Sequence, residues 1–255
     1  MRSLKFSLVI VCIALHTGLW AQTAHFFKTG NIEFEKSVNT HAIIRNEEKY
    51  GDQMIISQQQ LQSYKKEFPQ FKLLHSALNF TDNHSIYKPF QISEASNALS
   101  SHPALLQNNI VYTDLIKKNN VIKKNILDET FLVKDSVRKI SWKITSEMRE
   151  ISGYMCRRAN AVIMDSIYVV AFYTDLILPE GGPESFNGLP GMILGIALPH
   201  ENITWFAKKV SVDTIADQIE PPIQGKLITN IQLRHTIEAS PVFPRMRHLI
   251  KFLLL

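Results

Sequence analysis

Apolar and polar positions alternate from Ile32 to Val38, which is the period-2 signature of a half-buried strand. Residues 54–68 break that rhythm. They are rich in Gln and Lys and read as a helix that Pro69 ends. Two short strand-like pieces, 78–80 and 85–87, flank the turn Asp82, Asn83, His84. Residues 89–109, with their Ser, Asn and Gln, predict a long surface loop or insertion.

Beyond residue 110 the strand pattern strengthens. Segments 111–114, 129–134 and 139–145 all read as strands, the last with Ile140, Trp142 and Ile144 on one face. Residues 154–164 and 167–174 follow around Asp165 and Ser166, then 192–198 and 204–211 around residues 199–202. Met192, Ile193 and Leu194 form an unbroken apolar run, which suits a strand buried on both faces. Residues 226–238 fit a strand or a helix, and the apolar end, 248–255, reads as a last strand. Short strands at near-regular spacing predict a mainly β (α+β) domain: an antiparallel, curved or half-barrel sheet with one or two helices from the N-terminal half. No glycine-rich strand-to-helix turn appears, which argues against a doubly wound parallel fold.

The first twenty-one residues change the picture of where this domain works. Arg2 and Lys5 precede the apolar run Leu8 to Leu15, and Thr17, Gly18 and Ala21 follow it, in the order of a secretory signal peptide. That run is shorter than the roughly 20 residues needed to span a bilayer. The expected cut after Ala21 makes residues 22–255 a single mature domain, long enough for one sizeable core and without a transmembrane segment. The formal charge of +5 falls by two with the leader, and no basic stripe interleaved with aromatics marks a nucleic-acid partner. Cys12 leaves with the leader. Cys156 then has no internal disulfide partner and reads best as a small buried hydrophobe.

Residues 181–195 are the most distinctive stretch. Gly182, Pro183, Gly188, Pro190 and Gly191 make a turn-dense loop in which Gly188 and Gly191 can take positive φ, with Leu189 presented on stiff backbone. Gly188 to Ile193 reads GLPGMI, and this block closely resembles the GLPGLI family. The resemblance continues through Trp142 to Thr145, Ile151 to Ala159, Ala171 to Thr174 and Thr204 to Ala207, with Met192 and Phe172 as its departures. It implies an exported bacterial envelope protein of no established activity, working beside outer-membrane TonB-dependent transport systems. It also suggests the curved half-barrels of periplasmic lipoprotein carriers, although fold analogy does not supply function.

Candidate chemistry is sparse. The mature histidines form no His-x-His or His-Glu-x-x-His pattern, so no metal site, cofactor or catalytic residue is assigned. Ser63 and Lys66 match Ser-x-x-Lys, but in a polar helix without the companion motifs of a hydrolase. A binding role has more support. Trp142, Phe172, Tyr173, Leu189 and Trp205 are the candidate lining of an apolar pocket or the contact for an envelope partner such as an outer-membrane transporter, though each is as readily core. Ser136, Ser166 and Thr214 follow Asp in triplets that resemble an O-glycosylation signal of exported proteins.

Overall fold

Strand β1 (Gly30–Asn39) alternates buried and half-buried side chains without a break, and its even-numbered residues face the core. It occupies the middle of a single twelve-stranded sheet. The computed structural model describes residues 26–50, 58–90, 102–106, 109–126, 128–214, 218–241 and 247–255. The leader therefore lies outside the described residues, as does most of the expected 89–109 loop.

From β1 the chain meanders outward through β2 (Phe71–Phe80), β3 (His84–Pro89), β4 (Ile110–Asp114), β5 (Asn119–Ile126) and β6 (Glu129–Ser136). It then jumps to the opposite edge. From there β7 (Lys143–Ile151), β8 (Tyr154–Ile163), β9 (Ile167–Thr174), β10 (Met192–Leu198) and β11 (Ile203–Val212) meander back until β11 pairs antiparallel with β1. A three-residue β12 (Lys226–Ile228) adds parallel to β6 and caps that edge.

This topology forces curvature. In the sheet order β6 and β7 stand ten strand spacings apart, about 48 Å if the sheet were flat. Only residues 137–142 join them, and a chain that short reaches about 24 Å at full extension. The sheet must therefore curl until its two ends approach, an open half-barrel rather than a closed one. The Ser152 hydroxyl, just past β7, donates to the Ala207 carbonyl of β11 at 2.7 Å, which a flat sheet with three strands between them would forbid.

The expected fold class holds, with three corrections of detail and one open reading resolved. Helices number four among the described residues: α1 (Thr40–Tyr50), α2 (Gln58–Glu67), α3 (Asn230–Glu238) and α4 (Ile250–Leu254). Only the first two lie in the N-terminal half. The ambiguous 226–238 stretch holds both structures, β12 and then α3. Thr229 caps α3 in a reciprocal bond with Gln232, and Leu233 and Ile237 are buried. The apolar end is helical, not a strand, and its last carbonyls accept from the side chains of Lys124 and Arg138 rather than from a sheet neighbour. Finally, residues 139–142 are not strand. They belong to the link that crosses the open side, so Ile140 and Trp142 pack partly on the core while Ile144 on the edge strand β7 is exposed.

β10 confirms the reading of its apolar run, since Met192, Ile193 and Leu194 are all fully buried. One side meets the curved interior. The other is covered by the 175–191 segment, whose Ile177 and Gly181 carbonyls accept from the Met192 and Ile193 amides at 3.0 and 2.8 Å.

Candidate functional site

The GLPGMI loop closes the half-barrel where its ends meet. Gly188 and Gly191 take φ of 86° and 137°, as their positions predict. A Cβ on Gly191 would run into the Thr174 carbonyl oxygen, and one on Gly182 would sit 2.8 Å from the Ile193 Cβ. Both glycines therefore serve close backbone approach. Pro183 is buried and Pro190 exposed. Leu189 is not presented outward. It is buried in the core beneath the loop, because Gly188 and Gly191 turn the backbone inward on both sides of it.

The candidate aromatics divide. Phe172, Tyr173 and Trp205 are buried core residues. Phe172 points to the outer side, where it meets Phe206 at 6.4 Å and Arg149 covers both rings. Trp205 points inward and packs edge-on against Phe186 at 6.1 Å. Trp142 is half-buried in the closing link, and its Nε1 donates to the Asn187 carbonyl of the loop at 2.9 Å. Phe172 and Trp205 thus lie on opposite faces, and the five residues do not form one pocket.

Where link and loop meet there is a cleft of about 450 Å³. Leu115, Val137 and Ile140 give it apolar walls, and Lys118, Arg138 and Lys139 make it cationic, while Asn187 and Gly188 close it from the loop side. Among the described residues Glu180 is its single acid, and it is bound to Lys118 at 2.8 Å. The volume lies in the ordinary range for a small-molecule site, as does the combination of apolar lining with a few charges.

A second cluster is internal and was not visible in the sequence. Lys36 occupies a core-facing position of β1 between Phe34 and Val38 and is only 4 % exposed. Its direct neighbour across the strands is Trp205 of β11, and its ammonium lies 5.2 Å from the Trp205 ring centroid. Among the described residues it donates a single, long hydrogen bond of 3.4 Å, to the Leu106 carbonyl. Lys124, 2 % exposed on β5, donates to the Leu253 carbonyl of α4 at 3.1 Å. Arg138 of the link donates to the next carbonyl, Leu254, at 2.8 Å. Two cations thus satisfy the last turn of α4, where helix carbonyls are otherwise unpaired.

Burial pushes both lysine pKa values down, that of Lys124 to about 8. Glu184 opposes the shift in each. It comes from the 181–191 loop, at a positive φ of 53°, and is held by the Asn109 side-chain amide at 3.0 Å. The Tyr87 hydroxyl is pushed well above its usual pKa by burial and by Glu184, while Ser76 and Trp205 pull the other way. Tyr87 Oη, Ser76 Oγ and Trp205 Nε1 are nevertheless all buried without a partner in hydrogen-bonding geometry. A sequence signal did exist: Lys36 falls on the apolar parity of β1. A lone lysine in a strand ordinarily reads as a solvated face, and only the register with Trp205 places it inside.

Cys156 is fully buried, and burial raises its thiol to about 12, so it is not an activated nucleophile. Among the described residues no group of three or more His, Cys, Asp or Glu is placed to hold a metal, and no helix is long and apolar enough to cross a membrane. Ser136, Ser166 and Thr214 are all exposed. Their preceding aspartates have structural work as well. Asp165 and Asp213 sit at positive φ, and Asp135 accepts from the Asn230 amide at the start of α3.

No protein-family model matches the chain, and no curated protein matches it. Among solved structures it is similar to PNGF-II, at a TM-score of 0.52 and 12 % identity over 83 % of this chain. A second crystal form of PNGF-II gives 0.49 and 14 % over 82 %. This chain spans about a third of the PNGF-II chain, 33 % in the first comparison. At such identity the likeness concerns the fold alone.

Proposed function

We propose that this is a non-enzymatic binding protein of the bacterial envelope whose rim cleft takes a small amphipathic molecule. The observation that carries the reading is the cleft at the junction of link and loop, with apolar walls of Leu115, Val137 and Ile140 under the cations Lys118, Arg138 and Lys139. Such a lining favours an apolar body with an acidic group. The envelope address rests on the leader and on the GLPGLI resemblance, as does a working link to outer-membrane TonB-dependent transport. The test uses anilinonaphthalene sulfonate, an apolar anion whose emission rises on burial. It is expected to bind at one saturable site, weakened about tenfold by Ile140→Glu, which adds a like charge and removes apolar contact. Unchanged binding in that variant would remove the cleft from the account.

A second reading, an adaptor that docks an envelope partner, has its own observation. Among the described residues β7 is an edge strand without an outer neighbour, and its Ile144 and Met148 are 44 % and 46 % exposed. An unpaired edge can accept a strand from another chain. Pull-down from the native envelope that survives Ile140→Glu but fails on Met148→Lys would favour the adaptor.

A further inference from the structure

We propose that the core-facing side of β1, β2, β3 and β11 holds a carboxylate, received by the Lys36 ammonium with Tyr87, Ser76 and Trp205 as its other donors. The four side chains come from four neighbouring strands, and the sheet register brings them together. Lys36 stands opposite Trp205 across β1 and β11, and Ser76 stands opposite Phe34 on β2, beside Lys36. Tyr87 of β3 stands opposite Leu78, the next core-facing position of β2 after Ser76. Among the described residues, the polar atoms of Tyr87, Ser76 and Trp205 are all buried without a partner in hydrogen-bonding geometry.

The composition of this cluster selects the ligand. An ammonium and an indole N–H donate and cannot accept, and the two hydroxyls can each supply a proton. The hydroxyls can also accept, but a carboxylate, with about four lone-pair sites and no proton of its own to place, can take all four donors at once. Charge points the same way. Lys36 and Lys124 share the single carboxylate of Glu184, and Lys72 and Arg138 add to the positive field on Lys36 and Lys124 respectively. One of the Glu184 oxygens is already occupied by Asn109. A bound monoanion would reduce this excess of positive charge. It would replace the weak 3.4 Å contact between Lys36 and the Leu106 carbonyl with short charge-assisted bonds. The acid is either a free short carboxylic acid or the acidic end of a lipid chain, since the recognised group is the same. This site is separate from the rim cleft and does not depend on it.

The experiment titrates the full mature protein with carboxyl-labelled acetate and, separately, decanoate, followed by calorimetry and by the carbon resonance of the bound carboxyl. One equivalent is expected to bind, with a resonance that stays put while the free acid titrates between about pH 4 and 6. Tyr87→Phe, which removes one donor and little volume, is expected to weaken binding about tenfold. Lys36→Met is expected to abolish it while leaving anilinonaphthalene sulfonate bound at the cleft, so that failure here and failure of the cleft reading are told apart. Decanoate binding more tightly than acetate identifies a lipid acid, and equal affinities identify a small one. Absence of saturable binding by either acid would overturn the proposal and leave the cluster to water. Equal binding by wild type and Tyr87→Phe would overturn it too, even if Lys36→Met failed to fold.

Discussion

Lys124 allows the buried charge to be weighed. Its pKa falls from 10.5 to about 8 in the folded protein, chiefly through burial, with Glu184 opposing and Arg138 reinforcing the shift. Below about pH 8 the lysine is charged in both states, so the native state bears the full cost of the buried ammonium. Between about 8 and 10.5 the folded protein has released the proton while the unfolded chain still holds it. The unfolded state then binds more protons, so the free energy of unfolding rises with pH. A shift of about 2.5 units at about 1.36 kcal/mol each makes the full rise about 3 kcal/mol. Other groups titrate in the same window: Lys36 adds in the same direction, and Tyr87, whose folded pKa is raised, subtracts above about pH 10. Comparison with Lys124→Met separates them, because the variant keeps both. Urea unfolding followed by circular dichroism at intervals from pH 7.5 to 10.5 is expected to show wild type gaining about 3 kcal/mol relative to the variant. A difference that stays flat, or that shrinks as pH rises, would refute the placement of Lys124 inside the half-barrel.

Three further outcomes follow from single positions. Gly191→Val forces a Cβ into the Thr174 carbonyl at a φ of 137° and is expected to remove about 3 kcal/mol, lowering Tm by roughly 6–12 °C; an unchanged Tm would show that the loop does not need this backbone. Cys156, buried with its thiol near 12, is expected to react with a thiol reagent only as fast as the protein unfolds, and prompt labelling of the native protein would contradict its position. The exposed hydroxyls of Ser136, Ser166 and Thr214 are expected to carry at least one glycan in the native host, read as a mass loss on chemical deglycosylation; equal masses would end that proposal.

Much of the fold could be read along the chain, because period-2 alternation depends on a strand's own residues. The strand around Ile32 to Val38 and the doubly buried run from Met192 to Leu194 both appear as expected. The errors have a common cause. Residues 248–255 are an apolar run too short for its period to separate strand from helix, and tertiary context decided. Residues 139–142 alternate convincingly but are spent on spanning the open side, a demand set by the order of distant strands. Leu189 looked like a presented side chain because glycine and proline flank it, yet those residues turn it inward. The internal cluster needed information that no local window holds: which face of β1 is inside, which strand lies beside it, and where the 181–191 loop delivers Glu184. The rim cleft is non-local for the same reason, joining residues from 113 to 188.

The central claim is that the protein carries a small acidic molecule, and native mass spectrometry of the mature protein isolated gently from its own envelope tests it most directly. The account predicts a reproducible added mass, released by acid and identified as a carboxylic acid or a related amphipathic anion. A bare chain, or one that appears only in complex with a second protein, would contradict the carrier and leave the open edge of β7 as the functional surface.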